Sequence, residues 1–425
     1  MQTIRRAKPA QVLFVVAVFT GTVDVASGAG FQLLEQNASG LGNAYAGQAA
    51  AAENASAMHY NPASMTRLPG TRYSASALAI RLSIEFSDSG ASLAPNGAAT
   101  PAGGGNGGNA GGDWNYLSSL FLTWQIDSRL WLGVGVSAPF GLKTQYEPDF
   151  IGRFQSQKTV IKSYDINPSI AYKLSESVSI GAGLSYQHFS FKLDRSAFIG
   201  VEVPSNLELT SSDWGWNAGV LFTPARAVRA GLSHRSSMDH HMDGSVNIVG
   251  VPEFPLPATA DVRLPATSSA ALALDLSEKL EVLGDFTYTH WSSIKAVPVV
   301  LPSGAVADTF DVQFRDSWRI GVGANYRWLQ DLRLKFGIAY ERSPVISRYR
   351  TTALPDDERV WIGIGAKWAL SKSATLDFGY AHAFGLWKAN IDRQHGVGVP
   401  LAQGAVTGHY NNSIDILGVQ YSHTF

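Results

Sequence analysis

Few residues in this 425-residue chain are arranged to make or break bonds. The run Asp239-His240-His241-Met242-Asp243 has the composition of a metal site. Its histidines are adjacent, however, and neighbours on an extended chain point to opposite faces, so the segment reads as a solvated loop. There is no Gly-x-Ser-x-Gly nucleophile elbow and no His-Glu-x-x-His zinc pair. The absence of cysteine removes thiol catalysis and thiolate metal sites. The expectation is a non-enzyme with no cofactor. What remains are side chains suited to holding a ligand. Phe189 and Phe191 share the parity of the polar residues Ser185 and Gln187, and phenyl rings on a mostly polar face can line an apolar pocket. Arg195 and Arg319 are the candidate cations for a carboxylate, because a guanidinium can donate two parallel hydrogen bonds to one.

The elements carrying these residues alternate. In Leu78, Ile80, Leu82, Ile84 and Phe86 every second residue is apolar, with Ala79, Arg81, Ser83 and Glu85 between. The same period of two returns at 178–187, 319–328, 360–368 and 375–384, and it marks β-strands rather than helices. The segments run about 10–16 residues, beyond the usual five or six of soluble strands. Aromatic residues gather at their ends, as in the interface girdles of membrane barrels. Short turns near 127–128, 175–176, 225, 277–278, 330–331 and 371–372 alternate with long loops expected at 87–113, 141–158, 194–212, 240–259, 293–314, 342–357 and 388–411. This is the pattern of short periplasmic turns and long extracellular loops.

Composition agrees. The chain is 45% apolar but only 16% charged, against about 25% in soluble domains. A net charge of −1 excludes a strongly basic nucleic-acid binder. The basic residues Arg5, Arg6 and Lys8, the apolar run 12–19 and the small residues Ala26-Ser27-Gly28 read as a secretory signal peptide over 1–28. The expected fold is all-β, a 14-stranded antiparallel transmembrane barrel over 71–425. Lipid offers no hydrogen bonds to a free sheet edge, so the barrel must close, and a closed barrel needs no partner strand, which favours a monomer. The last strand ends on Phe425, with Leu417, Val419, Tyr421 and His423 on the same face. A terminal phenylalanine after such alternation resembles the signature of proteins inserted by the outer-membrane assembly machinery.

A barrel of this size would leave a water channel unless filled. The alanine- and glycine-rich segment 29–70 is the candidate N-terminal plug, since small residues allow close backbone approach. On the lumen parity Arg81, Arg229, Arg319 and Lys335 accompany Glu85, Asp275, Asp285 and Asp377. This is a balanced set suited to ion pairs between plug and wall.

Several motifs resemble the long-chain fatty acid transporter family of outer-membrane proteins, FadL and its relatives. They are Ala29-Gly30-Phe31-Gln32-Leu33, Ser39-Gly40-Leu41-Gly42-Asn43-Ala44-Tyr45 and Asn61-Pro62-Ala63 in the plug segment. Farther on come Pro139-Phe140-Gly141-Leu142-Lys143-Thr144, Gly152-Arg153-Phe154 and Ile166-Asn167-Pro168-Ser169-Ile170-Ala171-Tyr172. The second half matches mainly by strand pattern. The resemblance implies a barrel closed by an N-terminal hatch that carries hydrophobic molecules inward across the bacterial outer membrane. A ligand, a fatty acid or an aromatic hydrocarbon, would lodge among apolar extracellular loops and move to a pocket beside the hatch, with Phe31 among its contacts. Asn61, Pro62 and Ala63 would belong to the gate. Exit would be sideways into lipid at a kinked third strand, where Gly133 and Gly135 can permit a bend. Two other functions compete. A general diffusion porin would be open and conduct ions steadily, and an adhesin would work through its long loops, of which 87–113 carries no legible binding chemistry.

Overall fold

The computed structural model describes residues 29–95, 105–394 and 403–425. The expected signal peptide lies outside them, as do parts of the 87–113 and 388–411 segments. One antiparallel sheet of twenty strand segments winds through the described chain and makes a closed barrel of fourteen spans. In order these are Thr71–Asp88, Asn115–Gln125, Leu130–Ser137, Lys158–Lys173, Val178–Phe198, Glu202–Ala225, and Val228–Arg235 continued by Met238–Ile248. There follow Leu256–Leu264 continued by Thr267–Asp275, then Leu280–Thr289, Ser317–Arg327, Leu332–Glu341, Arg359–Ala369, Ala374–Gly385 and Ala405–Thr424. The other segments are Gly141–Gln145 after the third strand, the hairpin Ala296–Val300 with Val306–Asp311, and Ala389–Gln394 against the last strand. The first strand pairs with the second on one side and with the fourteenth from Arg72↔Thr424 to Asp88↔Gly408 on the other. That ladder satisfies the edges a lipid environment cannot.

Alternation sorts the wall. Leu184, Ile320, Ile362, Phe378 and Leu417 point outward and are exposed, while Ser185, Gly321, Gly363 and Gln420 face in. Outward aromatics such as Tyr116, Trp328, Trp368 and Phe425 lie toward strand ends. The first strand reverses the expectation. Leu78, Ile80, Leu82, Ile84 and Phe86 are buried on the inner side, and Arg81 and Glu85 face out. The cause is what covers them. Plug residues Leu33, Ala38 and Leu41 and the loop residues Tyr146 and Phe150 pack over this stretch, so here the apolar face has protein rather than lipid as its partner.

Several expected loops are strand instead. The fifth and sixth strands run 21 and 24 residues and turn at 199–201, so 194–212 is not a loop. The seventh and eighth strands continue through 240–248 and 256–259, and 293–314 contains a hairpin. At roughly 3.3 Å per residue and a tilt near 40°, a strand of that length reaches about 60 Å, twice the ~25 Å apolar band. The surplus builds a lobe beyond the membrane, where alternation persists because the lobe has its own apolar core.

Residues 29–70 fill the lumen. Leu41, Ala44, Ala46, Ala50, Met58, Met65 and Leu68 have no exposed surface. The wall makes room by lacking side chains. A Cβ on Gly219 would lie 2.1 Å from Asn61 Oδ1, and one on Gly337 would lie 2.0 Å from the Asn43 carbonyl carbon. Neither glycine has tolerance for alanine while the plug is seated.

Candidate functional site

An apolar column stands in the extracellular half of the lumen. The fifth, sixth and seventh strands and the 296–311 hairpin each send alternate residues inward at successive heights. At the lower height Phe189, Phe191, Leu209, Met242, Val297 and Phe310 enclose a cavity of about 130 Å³. Two to four residues farther along the same strands, Leu193, Leu207, Val246 and Val299 line a second cavity of about 240 Å³. Apolar walls with a few placed polar groups are what ligand pockets have. In the lower cavity those groups include Gln155, Arg393 and Gln403.

The floor is aromatic and comes from the plug. The Phe31 ring meets Trp291 edge-on at 4.8 Å, Phe140 at 5.9 Å and Phe189 at 6.3 Å. Trp291 is fully buried. Below it Gln32 donates to Thr267 Oγ1 at 3.1 Å and accepts from Thr289 Oγ1 at 3.2 Å. The wall there turns to hydroxyls around a further cavity of about 110 Å³. Apolar and polar compartments thus meet at one residue step of the plug.

Beside this floor the wall pairing breaks. The second strand pairs with the third only over 120–125. Among the described residues, 115–119 have no strand partner on that side. The third strand stays regular through Gly133 and Gly135, whose faces are turned to the plug's Met58 and Met65 and to Phe121. The departure comes later, at Ala138-Pro139-Phe140, which leave the wall and are buried. The plug occupies the vacated edge. Leu33 N donates to Pro139 O at 2.8 Å and Gly141 N to Phe31 O at 2.8 Å. Gln36 Nε2 donates to Ala138 O at 2.9 Å, its Oε1 accepts from Ala138 N at 3.2 Å, and Ser119 Oγ donates to Gln36 O at 2.6 Å. Plug residues 31–36 are therefore both the floor of the column and the filling of the break.

Other contacts hold the plug. Asn61 caps the short helix Pro62–Arg67 by accepting from Ala63 N at 3.0 Å. Its Nδ2 donates to the plug's Ala49 O at 2.7 Å and the wall's Val220 O at 3.0 Å. Pro62 and Ala63 are buried beside Gly181. Glu53 is the ionic anchor. It receives Lys335 Nζ at 2.8 Å, Lys367 Nζ at 3.2 Å and Asn325 Nδ2 at 3.2 Å, with Arg333 at 3.9 Å. Burial works to raise its pKa, but the two lysines and Arg333 outweigh that and hold the carboxyl well below the usual range. Glu35 goes the other way. Burial and the nearby Glu341 push its pKa up to about 7 against the pull of Arg359, and its Oε2 has no hydrogen-bond partner.

The two arginines named for a carboxylate are not spare. Arg319 pairs with Asp285 at 3.0 Å and donates to the plug's Ala44 O, so it braces the plug away from the apolar column. Arg195 lies within the fifth strand rather than after it, in the upper cavity, with Nη1 2.7 Å from Asp308 Oδ2. Phe31, Phe189 and Phe191 come together as one wall of the lower cavity. Trp291, Gln36, Glu53 and Asp308 were not singled out from sequence. No local pattern marks a residue whose partner lies more than a hundred positions away.

A family model described as outer membrane protein transport protein (OMPP1/FadL/TodX) matches residues 19–425. The chain belongs to this family. FadL-type proteins are transport channels of the bacterial outer membrane for hydrophobic molecules, not enzymes. The chain is 28% identical over 406 residues to a long-chain fatty acid transport protein of Escherichia coli O6:H1, covering 84% of this chain and 87% of that one. It is 27% identical over 400 residues to outer membrane protein P1 of Haemophilus influenzae, covering 85% and 87%. Among solved structures it is similar to a Pseudomonas aeruginosa FadL homologue, with TM-score 0.85, 19% identity and coverage of 93% and 100%. The Pseudomonas putida toluene transporter TodX gives TM-score 0.68 at 14% identity, covering 92% and 98%.

Proposed function

We propose that this FadL-family channel takes up long-chain fatty acids through its apolar column and releases them sideways through the wall at the third strand. The ligand is captured in the upper cavity of the extracellular lobe and settles in the lower one, tail down on Phe31 with Phe189 and Phe191 beside it. Displacement of plug residues 31–36 then removes the floor and uncovers the edge of the second strand in a single movement. The observation that carries this reading is that double role of 31–36. A plug that only sealed the lumen would not need to complete the wall. Asn61, Pro62 and Ala63 tether the other end of the plug and set how far it can move. The hydroxyl-lined cavity beneath the floor supports the sideways route, because an alkyl chain gains nothing by entering it. An aromatic hydrocarbon is the second reading, favoured by the number of rings at the floor.

The test is solvent extraction of the protein purified from membranes, with mass spectrometry of what it releases, alongside uptake of radiolabelled oleate. Fatty acids in the extract and saturable uptake that falls in Asn61→Ala/Pro62→Ala are expected. Alkylbenzenes in the extract would move the assignment to the second reading, and wild-type uptake in the variant would refute the tether.

A further inference from the structure

The periplasmic mouth of the barrel carries a charge arrangement that the apolar column does not use. Four cations lie side by side there on the lumen side of neighbouring strands. Arg327 stands opposite Arg333 across the tenth and eleventh strands, and Arg333 opposite Lys367 across the eleventh and twelfth. Lys279, one residue before the ninth strand, extends the row, because Arg327 N donates to its carbonyl at 2.8 Å. Like charges directly opposite one another on a sheet repel. At a strand spacing of about 4.8 Å the row is about 15 Å long. All four line one open cavity of about 710 Å³, with Arg67 of the plug and Arg226 of the turn after the sixth strand. Seven basic and four acidic side chains line it, an excess of three positive charges. The acidic groups are already shared. Glu281 pairs with Arg229 and reaches Arg333 only at 3.9 Å. Glu53 serves Lys335 and Lys367 first and also reaches Arg333 only at 3.9 Å. Among the described residues no carboxylate lies within 4.0 Å of the Arg67, Arg226, Lys279 or Arg327 side chains.

We infer that this row is a binding site for a linear oligoanion of the oligophosphate class, entered from the periplasm, and that its occupant loosens the plug by drawing Lys367 and Arg333 away from Glu53. Guanidinium groups bind phosphate oxygens in parallel pairs, and a chain of anionic groups matches a row of cations better than a single ion does. The row lies on the inner wall of the mouth, so a thin extended molecule can follow it where the surface of a folded protein cannot. The coupling follows from shared partners. Glu53, Arg333 and Lys367 line the same cavity as the unpaired cations, so an anion seated on the row competes with Glu53 for two of its partners. Lys335 does not line the cavity and keeps Glu53 at 2.8 Å, so the plug is loosened rather than expelled. The inference does not depend on what the column carries.

Binding of tripolyphosphate and of orthophosphate is measured by titration calorimetry to the full-length mature protein in phosphatidylcholine nanodiscs. The buffer is metal-free and of low ionic strength, because salt screens such contacts. The wild type should bind tripolyphosphate at least about tenfold more tightly than orthophosphate. Lys279→Gln/Arg327→Gln removes two cations that do not pair with Glu53, and it should weaken tripolyphosphate binding by about tenfold or more while the barrel stays heat-modifiable. In planar bilayers, tripolyphosphate added on the periplasmic side should raise the opening frequency of the wild type. It should do nothing to the double variant, and nothing from the extracellular side. Equal affinity for the two anions, or unchanged binding in the double variant, would overturn the site. Tight binding that the variant loses, with openings unchanged in the wild type, would overturn the coupling to Glu53 and leave the site standing.

Discussion

Replacing Glu53 with glutamine should loosen the plug without unfolding the barrel. Glu53 is the one plug carboxylate placed among Lys335, Lys367 and Arg333 of the eleventh and twelfth strands. Lys335 is 2% exposed and also donates to Ser39 O at 2.7 Å, with Asp377 3.5 Å away. Without Glu53 the two lysines keep only Asp377 near Lys335, while Arg333 keeps Glu281 at 3.9 Å. Breaking a buried pair by removing one partner costs about 3–5 kcal/mol. At about 1.4 kcal/mol per factor of ten, the docked-to-undocked ratio should fall by roughly two to three and a half orders of magnitude. The barrel's own ladder involves none of these side chains, so the penalty falls on the plug. Single-channel recording in planar bilayers reads it directly. The wild type should be nearly silent, and Glu53→Gln should show frequent openings while still shifting its gel mobility on heating. Glu53→Asp, which keeps the charge, should lie between. A silent Glu53→Gln channel with wild-type mobility would refute the assignment of Glu53 as the anchor.

Glu35 gives the plug a pH dependence. Its pKa is raised in the docked state to about 7 from an ordinary 4.5, so the docked plug holds a proton the released plug does not. The stabilisation is full below 4.5 and is lost as pH rises through 7, so openings should rise between pH 5 and 7 by up to about tenfold per unit and then level off. Glu35→Gln should abolish that slope. Glu53 acts in the opposite window. Its carboxyl is held below 4.5, so its contribution is present above that value and disappears as the pH falls through its lowered pKa, and acid should add openings that Glu53→Gln does not show. Gly337→Val should place a side chain against the Asn43 backbone and leave 29–70 open to added protease in an otherwise heat-modifiable barrel. Trp291→Ala should remove the partner of the Phe31 ring and speed release of bound dodecanoate, read by stopped-flow; an unchanged off-rate would show that the ring stack is not the floor.

Sequence alone showed the barrel because its signal is repeated. Ile320, Val322, Tyr326 and Trp328 state the same rule as Ile362, Ile364 and Trp368, and lipid enforces it on every strand. The rule does not say which face is which. Leu78 to Phe86 alternate as well as any strand, and only the plug and loops packed on them decide that they look inward. The outer parts of the fifth and sixth strands, within 194–212, read as a loop because length beyond the membrane leaves no compositional mark. Asn61-Pro62-Ala63 stood out as a motif resembling the family's, while Asn61's role as a helix cap is visible only in the fold. Arg195 stood out as a cation, but its partner Asp308 lies 113 positions on, and pairing at that distance is a property of topology.

The plug's contacts also fix a sequence of events. Gly30 N is satisfied by Asp356 Oδ2, Asn43 Nδ2 by Phe336 O, and Glu53 by Lys367, across separations of 326, 293 and 314 residues. The most N-terminal part of the described chain is therefore the part that finds its place last, after the twelfth strand has joined the sheet. Until then the segment 29–70, rich in alanine, glycine and asparagine, has no socket to fill. Long-range closure of this kind is slow. The chain has solved the waiting problem by composition: a segment with little apolar bulk is in small danger of sticking to anything before its socket exists.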